Sequence, residues 1–407
     1  MPEIASQKHV ITRPILLTLA LLAALAPIGT DLYLPAFPDL AVRLSASTAS
    51  VQLTLTAFLA GAGVGQLAFG PLSDRVGRRG PLLAGLLACV LAGIMTALSP
   101  SIGVLIAARF VQGFTAAAGM VLGRAMVSDV SHGLEAARAM SLLMVVGGVA
   151  PVVAPVVGSA LTAPLGWRGL MWIIAALSAI GLALAAAFLP ETHKTAAPAA
   201  AHDRGQRGLA QSFATLRNGR YIAYTITFSF AFATMMAYIS ASPFVYQQVL
   251  GLTEVHYGIA FGLNALALMV TSGLAAKLTH VHGPHKLAGW GLTGAAVGAL
   301  ATCVAAVSAA TPIILMAALF VTVGSLGFVF GNCTALALDS VRSVAGTGSA
   351  VLGAIQFLLA GLVAPIVGLA GEHTAIPMGA TMVVLIAVSA TAFLTVRNRP
   401  GVPDAGL

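Results

Sequence analysis

Gly70-Pro71-Leu72-Ser73-Asp74-Arg75-Val76-Gly77-Arg78-Arg79 is a short polar link between two long apolar runs, 49–71 and 81–98. Asp74 falls at the C-terminal end of the first run, where a helix dipole disfavours an anion. It therefore requires a partner, either a nearby arginine or the N-terminus of another helix. Gly77 permits a tight reversal of the chain, and Arg78 and Arg79 hold the link at anionic headgroups. A basic loop that merely fixes topology accounts for Arg75, Arg78 and Arg79 but not for the acid or the glycine spacing.

The two flanking runs belong to a series. A bilayer core of about 30 Å takes roughly 20 helical residues, and the chain offers twelve such segments. They run at about 15–35, 49–71, 81–98, 102–123, 139–163, 169–189, 221–247, 257–276, 287–310, 312–336, 344–370 and 375–396. They are long and continuous, unlike the short alternating strands of a membrane barrel. Of the 407 residues 58% are hydrophobic and 8% charged, against about 25% charged in a soluble domain, which excludes a soluble enzyme, a nucleic-acid module and a disordered chain. The N-terminus resembles a signal peptide, but Pro27 directly follows Ala24-Leu25-Ala26 and the apolar run continues to Leu32. The segment is read as a retained first helix. The expected fold is an all-α membrane protein of twelve transmembrane helices in two parallel six-helix repeats.

All Lys and Arg residues fall on one side of this topology except Arg43 and Arg168, on the other side, and Arg109, within a span. The bias places both termini in the cytoplasm of a multi-pass protein of the cytoplasmic membrane, and it explains the net charge of +8 without a nucleic-acid partner. The organisation follows: an N-terminal tail (1–14), a six-helix bundle (15–189), a cytoplasmic linker (190–220), a second bundle (221–396) and a C-terminal tail (397–407). Val153-Ala154-Pro155-Val156-Val157-Gly158 returns as Val363-Ala364-Pro365-Ile366-Val367-Gly368, Tyr33 and Pro38 return as Tyr238 and Pro243, and Gly77 aligns with Gly283. The near-constant offset marks an internal repeat, and parallel repeats of this kind place a substrate cavity between the halves. Spans 3, 6, 9 and 12 hold no charged residue, Asn or Gln, so they are expected to face lipid.

The Asp74 loop resembles the G-x-x-x-D-R-x-G-R-R loop of the major facilitator superfamily. Asp31-Leu32-Tyr33-Leu34-Pro35-Ala36-Phe37-Pro38, Arg109-Phe110-Val111-Gln112-Gly113, Trp167-Arg168, Leu189-Pro190-Glu191-Thr192 and Ser242-Pro243-Phe244-Val245-Tyr246 narrow the likeness to the bicyclomycin and chloramphenicol resistance exporters. The resemblance covers nearly the whole chain and implies efflux of small drugs in exchange for protons. One departure lies on helix 5, where the antiporter motif usually ends Gly-Pro-x-x-Gly-Gly and this chain reads Ala154-Pro155-Val156-Val157-Gly158-Ser159.

Asp31 and Arg109 are the charged residues placed within the spans away from the cytoplasmic ends. An intramembrane ionisable group costs about 2.5–3.5 kcal/mol on translocon scales and is a functional candidate. Asp31 is read as the proton-binding carboxylate and Arg109 as the fixed charge that tunes it. The other readings are an interfacial role for Asp31 and, for Arg109, a structural anchor on backbone carbonyls of helix 1 or 5. Candidate substrate contacts are Tyr33, Phe58, Gln112, Tyr238, Phe244, Asn264, Asn332 and Gln356, and Gly147, Pro151, Pro155 and Gly158 are the candidate helix 5 hinge. The expected partners are a small-molecule drug, protons and the bilayer, with the chain acting as a monomer and no cofactor beyond the proton gradient.

Several patterns carry no chemistry. Gly289-Trp290-Gly291-Leu292-Thr293-Gly294 has dinucleotide-type spacing but no preceding strand. Asn332-Cys333-Thr334 is a glycosylation sequon inside a span. His280, His282 and His285 occupy the degenerate repeat of the Asp74 loop, and no metal site is assigned. No Walker lysine, H-E-x-x-H or G-x-S-x-G occurs, so the chain is not read as an enzyme. An uptake carrier on the same fold and a non-transporting membrane sensor or enzyme are the alternatives to export.

Overall fold

The computed structural model describes residues 12–130, 133–192, 215–308, 311–368 and 373–397, which are helical with no strand among them. Helix α1 (Arg13–Asp31) leads through a 3₁₀ turn (Leu34–Ala36) into the short α2 (Phe37–Arg43). Four long helices follow: α3 (Thr48–Val76), α4 (Arg79–Ala97), α5 (Ile102–Val130) and α6 (Gly133–Phe188). Then come α7 (Gly219–Phe244) with a π turn at its end (Val245–Val249), α8 (Glu254–His282) and α9 (Pro284–Val307). The described chain finishes with α10 (Pro312–Asp339), α11 (Ala345–Gly368) and α12 (Ile376–Arg397).

Among the described residues, 11 helices are long and apolar enough to cross a membrane. The twelfth crossing is hidden in α6, whose backbone leaves helical geometry at Gly166 (φ 62, ψ 178). That left-handed torsion suits glycine, which has no Cβ to clash. Ala139 and Leu143 before the break share an apolar cluster with Ala185 and Leu189 after it, around Leu19 and Leu22 of α1. The chain therefore crosses along the first arm of α6 and returns along the second, which correspond to expected spans 139–163 and 169–189.

Other boundaries differ from the sequence reading. The first span, expected over 15–35, ends as an α-helix at Asp31, so Tyr33 lies beyond α1 rather than on it. Pro35 and Pro38 lack the N–H groups that would continue the helical ladder. The second span, expected to stop at 71, runs on to Val76 and takes Asp74 and Arg75 into α3. The fourth, expected to stop at 123, reaches Val130 and carries Asp129 in its last turn.

Local signals set several starts. The Ser47 hydroxyl accepts the Ser50 N–H at the head of α3, and the Asn218 side chain accepts those of Arg220 and Tyr221 at the head of α7, both N-cap bonds. Pro284 and Pro312 open α9 and α10, where the missing N–H costs nothing.

The chain divides into two compact units, one of 1–197 with 252–262 and the other of 198–251 with 263–407. In the first, α3 and α5 pack backbone to backbone: a Cβ on Gly61 or Gly65 would overlap the carbonyls of Phe110 and Phe114, and one on Gly113 that of Phe58. Small residues allow such approach in membrane helices. In the second, Gly291 and Gly298 of α9 pack in the same way against Ser325 and Thr322 of α10. Large apolar side chains are exposed on α4 (Leu87, Leu91, Met95), the second arm of α6 (Trp172, Ile180), α9 (Trp290, Val297) and α12 (Val384, Leu394). They are also exposed on α8 (Ile259, Leu263, Val270) and α10 (Ile313, Phe320), so the apolar outer face is not confined to spans 3, 6, 9 and 12.

Candidate functional site

The Asp74 loop is held by a polar network within the first unit. Gly77 ends α3 with φ 96. Directly after it, the N–H of Arg78 donates to Glu191 Oε1 at 2.8 Å and the N–H of Arg79 to Glu191 Oε2 at 3.0 Å. The Glu191 carboxylate thus caps α4, where the helix dipole favours an anion. A Cβ at position 77 would stand 2.7 Å from that carboxylate, so glycine is required there by torsion and by space.

Arg78 joins the rest. Its guanidinium donates to Asp74 Oδ1 at 2.5 Å, to the Ser73 hydroxyl at 2.6 Å and to Asp129 Oδ2 at 3.1 Å, and Thr192 donates to the same Asp129 oxygen at 3.1 Å. Partial burial works against the Arg78 charge, but the bonds to Asp129 and Asp74 outweigh it and push its pKa above the usual arginine value. Of the two partners expected for Asp74, the structure supplies the nearby arginine. Arg79 donates to the Ala186 carbonyl at 2.8 Å, and Arg75 is exposed with no ion pair among the described residues. Asp129 went unnoticed in the sequence because it lies past the expected end of its span, and Glu191 was seen only as part of a motif. An acid at or just past the end of a helix, on the side of the arginine-rich loop, is the signal available for both.

Nearer the other end of the first unit, Arg109 of α5 is fully buried. It donates to the Gly29 carbonyl of α1 at 2.8 Å and to Gln112 Oε1 at 2.7 Å. Its guanidinium carbon lies 4.5 Å from the Tyr33 ring centre and 4.4 Å from that of Phe58, within cation–π range. The Tyr33 hydroxyl is bonded to Thr54 of α3 at 2.9 Å. Four expected site residues, Tyr33, Phe58, Arg109 and Gln112, therefore meet in one cluster. Asp31 does not join Arg109: it is 5% exposed at the last residue of α1, and among the described residues no basic group lies within ion-pair distance of it. The expected Asp31–Arg109 pair is replaced by the alternative reading for the arginine, an anchor on a backbone carbonyl of helix 1. A buried cation needs compensation, and here a carbonyl, an amide and two aromatic faces supply it.

The second unit gathers a different set. Asn264 of α8 donates from Nδ2 to the Tyr238 hydroxyl at 2.7 Å and to the Tyr246 hydroxyl at 3.2 Å. Tyr238 and Tyr246 meet edge to face with centroids 6.5 Å apart. Tyr246 was not singled out from the sequence as a site residue. Phe244 is buried at the end of α7. Asn332 stands apart from that set, donating to the Phe328 carbonyl and accepting from Thr279, and Gln356 is half-buried on α11.

The chain as a whole has counterparts among known proteins. Residues 19–365 match the Major Facilitator Superfamily. The chain belongs to that superfamily. It is 36% identical to an uncharacterized MFS-type transporter, YdgK, of Bacillus subtilis, over 92% of this chain and 93% of the relative. It is 30% identical to a bicyclomycin resistance protein homolog of Haemophilus influenzae, over 94% and 96%. Among solved structures, a D-xylose-proton symporter matches with a TM-score of 0.75 at 15% identity, over 95% of this chain and 97% of that one, a likeness of fold. The chain is thus a multi-pass transporter of the superfamily, carrying small molecules, and not an enzyme.

The expected hinge of this superfamily member takes a mixed form. Pro151 and Pro155 lie inside helical backbone, and the one non-helical residue of α6 is Gly166. Gly158 is a tight contact, since a Cβ there would overlap the Leu32 carbonyl, whereas Gly147 has open space. Among the described residues no group of three or more His, Cys, Asp or Glu is placed to hold a metal. Of the linker expected at 190–220, residues 193–214 lie outside the described residues, as do 1–11 and 398–407 of the tails.

Proposed function

We propose that this transporter exports small drugs across the cytoplasmic membrane in exchange for protons, by alternating access, as a monomer with both termini in the cytoplasm. The observation that carries the reading is the likeness, over nearly the full length of both chains, to a protein named for bicyclomycin resistance. Asp31 supports the coupling: it is a buried carboxyl at the far end of α1, with no guanidinium among the described residues to hold it permanently as an anion. Arg109 stays charged throughout the cycle and orders the aromatic pair Tyr33 and Phe58 beside the drug path. Tyr238, Phe244, Asn264, Asn332 and Gln356 are the corresponding contacts on the second unit. No cofactor is needed, because the proton gradient drives the exchange.

The test is a flux assay in everted vesicles across a panel of amphenicol-like and bicyclic antibiotics, together with inhibitory concentrations in cells expressing the chain. Export predicts raised inhibitory concentrations and release of protons on drug addition. Unchanged resistance with faster accumulation of a metabolite would replace export by uptake, and binding without flux would replace it by a sensor.

A further inference from the structure

Beyond the end of α1 the first unit holds a second feature, a cavity of about 420 Å³, within the size range of small-ligand pockets. Asp39 and Arg43 of α2, Trp167 and Arg168 after the Gly166 break, and Glu254 line it. Its depth follows from α1. That helix has 19 residues, which rise about 28 Å, close to the thickness of the hydrocarbon core. The cavity, lying past Asp31, is therefore at the level of the headgroups on the face opposite the Asp74 loop.

Its polar groups alternate in sign and are not fully used. Arg43 Nε donates to Asp39 Oδ1 at 2.7 Å, while Asp39 Oδ2, though buried, has no partner among the described residues. Trp167 is 1% exposed, yet its indole Nε1 likewise has none. Arg168 donates to the Ser99 carbonyl at 2.9 Å and lies 4.2 Å over the Trp167 ring, so its remaining N–H groups stay available. Glu254 enters no ion pair among the described residues. One edge of the cavity is apolar and open, formed by the exposed Ala163, Pro164 and Leu165.

A ligand that satisfies this set must donate to carboxylates and, a few ångströms away, accept from guanidinium and indole N–H. We propose that the cavity binds the phosphoethanolamine headgroup of a membrane phospholipid. The primary ammonium donates to Asp39 Oδ2 and Glu254, and the phosphate accepts from Arg43, Arg168 and Trp167 Nε1, all but the last charge-assisted at both ends. A choline headgroup has no N–H and cannot make the first contact. Free phosphoethanolamine carries the same charges, but the apolar edge at Ala163, Pro164 and Leu165 selects the lipid.

The test measures thermal unfolding of the purified full chain in micelles titrated with phosphatidylethanolamine, phosphatidylcholine or free phosphoethanolamine. The ethanolamine lipid is expected to raise the midpoint with a half-saturating concentration about tenfold below that of the choline lipid, the worth of one strong hydrogen bond, and the free ester to do little. Asp39→Asn should erase that preference while leaving lipid-free unfolding nearly unchanged. Should Asp39→Asn not fold, Glu254→Gln carries the same prediction. Equal effects of the two lipids, a full effect of the free ester alone, or variants that keep the preference would overturn the proposal.

Discussion

The Glu191 carboxylate, three residues past the second arm of α6, holds both N–H groups that open α4, those of Arg78 and Arg79. The third and sixth spans are thereby tied together at one face by a bidentate cap. Glu191→Ala leaves both donors without their acceptor and should destabilise the protein by about 1–2 kcal/mol, with Glu191→Gln, which keeps one carbonyl oxygen, losing less. Thermal unfolding of the purified variants in micelles reads this directly, and an unchanged midpoint for Glu191→Ala would remove the cap from the account.

Gly77 tests the same contact from the other side. Gly77→Ala places a Cβ in a positive-φ extended torsion, at about 1–3 kcal/mol, and against the Glu191 carboxylate. The steric share should vanish in the Glu191→Ala background, so the double variant should lose less stability than the sum of the two single losses. Strict additivity would show that only the torsion matters.

Arg78 bonds Asp74, Ser73 and Asp129 at once, using the spread of a planar guanidinium that lysine lacks. Arg78→Lys should therefore behave like Arg78→Ala in transport, while preserving charge and membrane insertion. Transport close to that of the parent in Arg78→Lys would mean that charge alone suffices.

Arg109 lies between two rings while bonding a carbonyl and an amide. Arg109→Lys keeps the charge but not the stacked plane, and should lower drug flux at least about tenfold, about 1.4 kcal/mol, with the protein still present in the membrane. Comparison of flux per molecule, after quantifying the inserted protein, separates this from poor expression.

Asp31→Asn keeps the size of the side chain and removes its proton chemistry. In everted vesicles drug addition should no longer release protons, although drug can still bind. Persisting proton release with full resistance would place the coupling carboxyl elsewhere and return Asp31 to an interfacial role.

Much of the fold was legible because a bilayer imposes length: runs of apolar residues near 20 read as crossings whatever their neighbours do. Even the merged α6 reads correctly from sequence, since Pro164-Leu165-Gly166-Trp167-Arg168 interrupts the hydropathy. The end of α1 was misplaced because hydropathy continues through Leu34, and Pro35 and Pro38 should have outweighed it. The sites were less legible. Tyr33, Phe58, Arg109 and Gln112 stand out individually in the sequence, since polar and aromatic residues inside spans are few, but nothing in it groups the four together. The partner of Arg109 was not legible, because a backbone carbonyl such as that of Gly29 leaves no trace in residue types. Asp129 and Glu191 are distant from Arg78 in sequence, and only the packing of α5 and α6 against the loop brings them together.

The glycine contacts between α3 and α5 have a mechanical consequence. Where a Cβ would strike a carbonyl, no side chain is left to act as a cushion, and two backbones in contact cannot slide or part by changing rotamers. The pair is therefore expected to travel as one strut during the transport cycle. Phe58 rides on that strut together with Arg109, so the stacking of guanidinium on ring is carried along unbroken. The Gly29 carbonyl belongs to α1, and that bond is the joint at which a moving helix can make or release the arginine.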